Sequence, residues 1–294
     1  MIKEALPPFV VRASAPPTRA EAHTANPERQ HAIFPASASA SNRRGALRIV
    51  HKPTVRLIAV TQFSKPPDVD WDTDTTVPSQ QLIEFAGRMC YQSWANPSGR
   101  SNAEYIANLL EQGHLSVLEH ASASFMIAGV SRSLTHELVR HRHLSFSQLS
   151  QRFVAEDDAD LVEPEAIASD PEAHAVFEDA TRRCLEAYSR LCELMRRRYA
   201  DVKDPTMRRK LARQAARSVL PNATETRIVV TGNFRAWRHF IRLRASEHAD
   251  VEIRAVALEI LRILQQEAPA VFGDFRIYKT EGGTEVAQTE HIWE

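Results

Sequence analysis

Glycine is scarce in this sequence, at 9 of 294 residues, and no Gly-x-Gly-x-x-Gly pattern occurs. A dinucleotide therefore cannot be held by the glycine-rich turn of a Rossmann fold. The only cysteines, Cys90, Cys184 and Cys192, form neither a Cys-x-x-Cys pair nor a disulfide framework. Such cysteine usage is typical of a protein in a reducing cytoplasm, and we interpret the three as small core residues.

Neither sign of charge is in excess, because 37 lysines and arginines balance 37 aspartates and glutamates. The chain therefore lacks the global positive field of a non-specific nucleic-acid binder, and any anion site must be local. No apolar run approaches the roughly 18 residues that span a bilayer, so we expect no membrane partner. A hydrophobic fraction of 43% is ordinary for a soluble globular protein.

The chain divides into three parts by composition. Residues 1–54 are rich in Ala, Pro, Ser and Arg and show no hydrophobic period. Because such a segment buries too little apolar surface to offset its ordering entropy, we expect a disordered N-terminal extension. The folded domain is expected at residues 55–279, followed by a loosely ordered tail at 280–294.

Hydrophobic periodicity predicts an α+β fold, with a mainly antiparallel sheet and a substantial helical part. Alternation and β-branched content predict strands at 55–63, 121–130 and 225–231. A further short strand is expected near Arg152 and Phe153. Apolar residues three and four apart predict helices at 80–91, 102–111, 131–139, 172–199 and 250–267, and others starting near Pro205 and Asn233.

The segment Arg140–Arg152 holds three arginines, two histidines and three serines in thirteen residues, with no acid. A charge run is usually a solvated surface, and composition alone leaves that interpretation open. Arginine forks and serine hydroxyls also bind phosphate through directed hydrogen bonds. Apolar residues that would anchor the segment to a core favour a phosphate-bearing ligand, namely Leu144, Phe146, Leu149 and Phe153.

A second cation stands out by its position on a helix. Trp237, Phe240 and Ile241 define the apolar face of the helix that Asn233 caps, and Arg244 falls on the same face. An unpaired buried charge is costly, so Arg244 either extends to solvent at the helix end or meets an anion or polarised ligand. We favour the ligand. The helix that starts near Pro205 carries a row of arginines four residues apart, Arg209, Arg213 and Arg217. Most of this row could be solvated.

The arrangement Arg140-His141-Arg142, seven residues, then Ser150 resembles the signature of the flavin-dependent thymidylate synthases. The resemblance extends from about residue 55 to about residue 275 and is closest to the actinobacterial form of the family. It is carried by three further blocks, Gly113–His120, Gln214–Arg227 and Asn233–Phe240.

This resemblance implies reductive methylation of dUMP to dTMP, with methylenetetrahydrofolate as one-carbon donor and NADPH as reductant through FAD. It implies a non-Rossmann flavin site with contacts at Ser116, Arg140, His141, Arg142, Gln148, Asn233, Arg235 and His239. It also implies a dUMP pocket made of Glu137, Arg140, Gln148, Leu149, Ser150, Gln151, Arg152, Arg217 and Arg244. Gln148 is neutral where some members carry an acid, and His239 stands where some have Asn.

Uracil C5 is a poor nucleophile, which an enzyme activates by thiolate addition at C6 or by polarising the ring and delivering hydride. None of the cysteines lies in an anion-lined segment, so we predict no cysteine nucleophile. Arg244 is the predicted catalytic residue, a fixed cation that stabilises negative charge at N3 and O2 of the pyrimidine. Ser150 has no evident base partner, and we interpret it as a hydrogen-bond donor.

The resemblance also implies a homotetramer whose sites draw residues from more than one subunit. No His-Glu-x-x-His motif or Cys/His spacing occurs, so we predict no metal. Two alternatives remain at this stage. One is a non-enzymic RNA- or nucleotide-binding module that uses Arg140–Arg152, with Phe146 and Phe153 as stacking platforms. The other is a metal-dependent nucleotide hydrolase.

Overall fold

The computed structural model describes residues 47–96 and 98–292. The predicted N-terminal extension therefore lies outside the described residues up to position 46. The described strands are β1 (Ile49–Val50), β2 (Thr54–Val60), β3 (Ser122–Ser131), β4 (Ser145–Gln148), β5 (Leu161–Val162), β6 (Glu225–Asn233), β7 (Arg276–Lys279) and β8 (Glu285–Gln288).

An antiparallel sheet in the order β2-β3-β6-β4 forms the centre of the fold. Every second residue of β3 from Ala123 to Ile127 is buried, and Phe125 pairs in register with Val230 of β6. This alternation places one face of the sheet against the helices, as the period of two in the sequence requires. The predicted strand near Arg152 was wrong in place, since β4 ends at Gln148 and Arg152 lies in a turn.

Helices make up the larger share of the regular structure, and with the antiparallel sheet they confirm the α+β prediction. They are α1 (Pro78–Tyr91), α2 (Asn102–Glu111), α3 (Arg132–Leu138), α4 (Glu165–Ala168), α5 (Pro171–Arg198), α6 (Pro205–Ala216), α7 (Phe234–Arg244), α8 (Val251–Glu267) and α9 (Pro269–Phe272). Short 3-10 turns cover Leu115–His120 and Arg217–Val219.

Side-chain caps set the starts of these helices. The Ser101 hydroxyl accepts from the backbone N–H of Glu104, whose carboxylate in turn accepts from the backbone N–H of Ser101, so a full capping box opens α2. The Asn233 amide oxygen accepts from the N–H of Ala236 at 2.8 Å and opens α7 as predicted. Each such cap stabilises the protein by about 1 kcal/mol. No helix within the described ranges is both long and apolar enough to cross a membrane.

Helices α7 and α8 cover the buried face of the sheet. Trp237 packs edge-on against Phe125 of β3, with ring centroids 5.1 Å apart, and its Nε1 donates to the Ala123 carbonyl at 3.1 Å. Phe240 and Ile241 are fully buried beside it. Burying each of these side chains stabilises the fold by about 1.5–3 kcal/mol, so α7 is held firmly in one orientation.

Both ends of the described chain differ from the predicted boundaries. Strand β1 lies inside the segment expected to be an extension and pairs in parallel with β5. Strand β8 lies inside the expected loose tail, yet Val286 and Ala287 are buried and the N–H of Ala287 donates to the Ala245 carbonyl at 2.8 Å. In both β1 and β8 the two apolar residues are adjacent in sequence, so these short strands show no alternation from which they could be recognised.

Candidate active site

Two strand-to-helix turns bring the predicted catalytic residue to its partners. Strand β3 runs directly into α3, and β6 runs directly into α7. Because β3 and β6 are antiparallel, with Ser131 paired to Glu225 and Ser122 to Asn233, the two helices start at opposite ends of the sheet. Each helix turns back along the sheet, and their C-terminal ends meet.

At this meeting point Arg244, the last residue of α7, contacts two predicted ligand-binding residues. Its Nε donates to His141 Nε2 at 3.0 Å, and its Nη1 lies 2.9 Å from Glu137 Oε2. The charge on the apolar face is therefore paired within the protein. The Arg244 side chain remains 24% exposed, so these two contacts do not close it off from solvent.

His141 is held as a neutral imidazole. Its ring is 9% exposed and packs edge-on against Phe240, with centroids 5.0 Å apart. Burial, which is the largest cause, and the positive charges of Arg244 and His239 together lower the pKa of His141 to about 4. Since Nε2 accepts from Arg244, the ring proton is carried by Nδ1.

A pocket of about 380 Å³ lies beside this cluster, at the start of α7. It is lined by three of the predicted flavin contacts, Asn233, Arg235 and His239. Ser116 is exposed in the 3-10 turn next to Leu115, which also lines the pocket. The volume of the pocket falls in the usual range for small-molecule sites, which is about 300–1,000 Å³.

Positive charge dominates this pocket. Arg235 and Arg242 line it together with His143, against one acidic side chain, Glu119, which pairs with Arg235 at 2.6 Å. Burial is the main cause that lowers the pKa of His239. The charges of Arg242, His143 and Arg235 lower this pKa as well. Guanidinium and imidazole donors at a helix start suit the pyrophosphate of a flavin dinucleotide, so the residues present fit FAD without a glycine-rich turn.

The end of β4 and the turn that follows it carry five of the nine predicted dUMP contacts, from Gln148 to Arg152, and three elements hold this segment. Gln148 donates from Nε2 to Thr135 Oγ1 of α3 at 3.0 Å. Leu149 donates from its N–H to the Arg227 carbonyl of β6 at 2.9 Å. On the far side of the turn, Arg213 of α6 donates to the Phe153 carbonyl at 2.5 Å.

Arg132, the first residue of α3, connects this turn to the rest of the cluster. It donates from Nη2 to the Leu149 carbonyl at 2.8 Å. Burial lowers the pKa of Arg132, and the carboxylate of Glu156 opposes that shift. The charge of Arg217 also lowers the pKa of Arg132, so Arg217 lies within electrostatic reach of Arg132. The positive charge of Arg217 therefore acts on the arginine that holds the Leu149 carbonyl.

Arg152 supplies an unused donor in the same turn. Its Nε is buried and has no hydrogen-bond partner among the described residues. A buried donor left without a partner costs about 1–3 kcal/mol, which a bound anion would offset. The Ser150 hydroxyl accepts weakly from the backbone N–H of Arg152 at 3.4 Å, and the described contacts give it no base partner.

Several predicted site residues are not drawn into either cluster. Arg140, Arg142 and Arg217 are exposed, and their side chains make no hydrogen bond or ion pair with another described residue. Gln151 is partly buried, also without a side-chain hydrogen bond in the described part of the chain. These groups remain available to a ligand.

Sequence reasoning missed two residues of this region. Arg132 is the single arginine in the predicted helix 131–139, and that position was the signal that could have identified it. No sequence pattern pointed to Glu156, because it follows the Leu149–Arg152 turn in a stretch with no hydrophobic period. Its burial is evident only once α5 packs over it through Tyr188.

Comparison with known proteins identifies the family of this chain. The family model described as thymidylate synthase complementing protein matches residues 73–270. A relative named flavin-dependent thymidylate synthase from Mycobacteroides abscessus is 59% identical over 242 residues, covering 82% of this chain and 96% of the relative. Relatives of the same name from Mycolicibacterium gilvum and Mycobacterium avium are 60% and 57% identical over 235 residues, covering 79% of this chain and 94% of each relative.

This chain belongs to the flavin-dependent thymidylate synthase family. The resemblance seen in the Arg140–Ser150 motif is thereby confirmed, and the binding-module and hydrolase alternatives are not favoured. In this flavin-dependent thymidylate synthase the described residues contain no group of three or more His, Cys, Asp or Glu placed to hold a metal ion.

Proposed function

We propose that this chain catalyses the reductive methylation of dUMP to dTMP, with the one-carbon unit from methylenetetrahydrofolate and reducing equivalents from NADPH through FAD. Family membership supports the reaction. The observation that carries the assignment of residues is the contact of Arg244 with both Glu137 and His141. It joins the predicted catalytic cation to a predicted dUMP contact and a predicted flavin contact.

The phosphate of dUMP is assigned to the turn after β4. Arg152 offers the buried Nε without a partner, and Arg217 offers an exposed guanidinium nearby. Ser150 adds a hydroxyl donor, in keeping with the short hydrogen bonds that phosphate oxygens accept. The remaining proposed contacts of the nucleotide are Glu137, Arg140, Gln148, Leu149 and Gln151.

Helix α3 sets the separation between the phosphate and the pyrimidine. Arg132 at its start contacts the Leu149 carbonyl, and Glu137 at its end contacts Arg244. Five helical positions correspond to about 7.5 Å. A nucleoside monophosphate can bridge such a distance, with its phosphate at Arg152 and its base at Arg244.

Arg244 then acts as an electrostatic catalyst. Its guanidinium stabilises negative charge that develops at N3 and O2 of the uracil while C5 becomes nucleophilic. Glu137 and His141 fix the direction of the guanidinium, and neutral His141 accepts a hydrogen bond without adding a competing positive charge. FAD, when bound, supplies the hydride chemistry that completes the methyl group.

The cysteines support a reaction without a thiolate nucleophile. Cys90 lies on the surface of α1 and donates to the Ala86 carbonyl of its own helix. Cys192 packs against Tyr188 in the α5–α6 cluster, where burial raises the pKa of its thiol and disfavours the thiolate.

Flavin is assigned to the pocket at the start of α7 and to the residues around it. Asn233, Arg235 and His239 line that pocket, and Ser116, Arg140, His141, Arg142 and Gln148 are the other proposed contacts. The exposed side chains of Arg140, Arg142 and Arg217 support a homotetramer in which a neighbouring subunit completes each site. We place the enzyme in the cytoplasm, which the three free cysteines support.

The absorption spectrum of the purified protein tests this function. With FAD added, anaerobic NADPH should bleach the flavin band, and the band should return only when dUMP and methylenetetrahydrofolate are both present. If the protein retains no flavin, or NADPH does not reduce it, the proposed reaction is excluded. Return of the band with either substrate alone would also contradict a coupled methylation.

A further inference from the structure

The segment that follows β8 is fastened to the helix that carries the flavin contacts. The Thr289 hydroxyl donates to Oδ2 of Asp274. Asp274 forms two hydrogen bonds with Arg238 of α7, Nη1 to Oδ1 at 2.6 Å and Nη2 to Oδ2 at 2.7 Å. Arg238 is only 5% exposed and Asp274 is partly buried, so water has little access to this pair.

The same hydroxyl also fixes the chain beyond it. The backbone N–H of His291 donates to Thr289 Oγ1 at 3.1 Å, so the direction of the His291 main chain is set by the Asp274 contact. The Arg238 guanidinium lies over the Phe275 ring, 4.8 Å from its centroid. Thr289, His291 and Phe275 all line the pocket at the start of α7.

Asn233, Arg235 and His239 of β6 and α7 line the same pocket. The C-terminal segment thus faces the proposed flavin contacts rather than solvent alone. An imidazole carries an N–H donor, so His291 can donate a hydrogen bond to an anionic oxygen. The pocket is also lined by Arg235 and Arg242, and one more donor among its lining residues suits a two-phosphate group.

We infer that residues Thr289–His291 form a wall of the flavin site, in which His291 contacts the pyrophosphate of the dinucleotide and Thr289 positions it. This inference rests on the proposed function. It assigns a binding role to the part of the chain whose composition predicted only a loose tail.

FAD affinity, measured by quenching of flavin fluorescence in the full-length protein, tests the inference. His291→Ala should weaken FAD binding by about 10-fold, the usual loss for one hydrogen bond to a charged group. Thr289→Val, which removes the hydroxyl but keeps the Asp274–Arg238 pair, should weaken it by a smaller factor. Binding of riboflavin, which lacks the pyrophosphate, should be the same in His291→Ala and the unmodified protein.

Tyr278→Phe is the matched control, because it removes the 3.2 Å hydrogen bond between Tyr278 and Gln288 in the same hairpin but does not alter the pocket lining. Its FAD affinity should stay within about twofold of the unmodified protein. Unchanged FAD binding in His291→Ala overturns the inference, as does an equal loss for FAD and riboflavin. Failure of the unmodified protein to bind FAD at all would instead reject the proposed function.

Discussion

Arg244 Nε donates to His141 Nε2 across 3.0 Å, and this contact joins the end of α7 to the residues just after α3. The bond orients the guanidinium and fixes the tautomer of the imidazole at once. Glu137 holds the other side of the same guanidinium at 2.9 Å. A cation held by two groups needs little reorganisation when charge develops on a substrate, which is the condition for electrostatic catalysis.

Replacing Arg244 by Ala should abolish most dTMP formation while FAD stays bound. Loss of one preorganised charge-stabilising donor lowers turnover by about 10²–10³-fold. Turnover of dUMP and the flavin spectrum, measured on the same preparation, separate the two effects. Arg183→Ala on the exposed side of α5 is the control, since its ion pair with Asp179 is on the surface. Turnover near normal in Arg244→Ala would remove this residue from the chemistry.

Replacing Arg244 by Ala should also raise the pKa of His141. Burial is the main cause of its low pKa, and the charge of Arg244 is the next. Removing that charge should therefore move the pKa upward from about 4 but leave it below the ordinary value of 6.5. An NMR titration of the histidine Cε1 protons, assigned with His141→Gln, measures the shift. An unchanged pKa would mean that Arg244 exerts no field on the ring.

Arg152→Ala should act on substrate affinity rather than on flavin. The buried Nε of Arg152 lacks a partner within the described chain, and we assign it to the dUMP phosphate. Losing one hydrogen bond to a charged group weakens binding by about 10–100-fold. Equilibrium titration with dUMP gives the value, and deoxyuridine, which has no phosphate, should bind both proteins alike. Equal dUMP affinities would contradict the phosphate role.

Elements of the fold were predictable where the sequence carried a clear local pattern, such as a helical period or a helix cap. The long α5 was evident from apolar side chains three and four apart, and the start of α7 from the Asn233 cap. Strand β4 was not, because four residues with mixed polar side chains carry no period, and its place is fixed by pairing with β6. Edge strands of this kind are set by tertiary contacts rather than by local preference.

In the candidate site, too, local sequence pattern predicted some features, and tertiary contacts determined the rest. Periodicity placed Arg244 on the apolar face of α7 and left two outcomes open, extension to solvent or contact with a ligand. Its contact with Glu137 within the protein depends on how α3 meets α7. The low pKa of His141 was out of reach, since it arises from burial against Phe240. Pairings across the sheet cannot be obtained from a sequence pattern without the topology.

Glu156 is a buried acid that the proposed reaction does not use. Its carboxyl is 4% exposed, and Oε1 has no hydrogen-bond partner among the residues described. Arg132 Nη2 lies 4.0 Å from that oxygen, too far for a hydrogen bond. Burial raises the pKa of Glu156 to about 7, and the attraction of Arg132 offsets only part of that effect.

This raised pKa predicts a pH dependence of stability that Glu156→Gln should remove. The unfolded carboxyl releases its proton near pH 4.5 and the folded one near 7, so between these values the folded state binds more protons. The contribution of Glu156 to the unfolding free energy should therefore fall, by about 3 kcal/mol, as pH rises through this window. Urea unfolding at pH 5 and pH 7.5 should show Glu156→Gln gaining stability relative to the unmodified protein, whereas exposed Glu193→Gln should show no such gain. A constant difference between Glu156→Gln and the unmodified protein at both pH values would mean that Glu156 is ionised throughout, held by Arg132 more strongly than their separation implies.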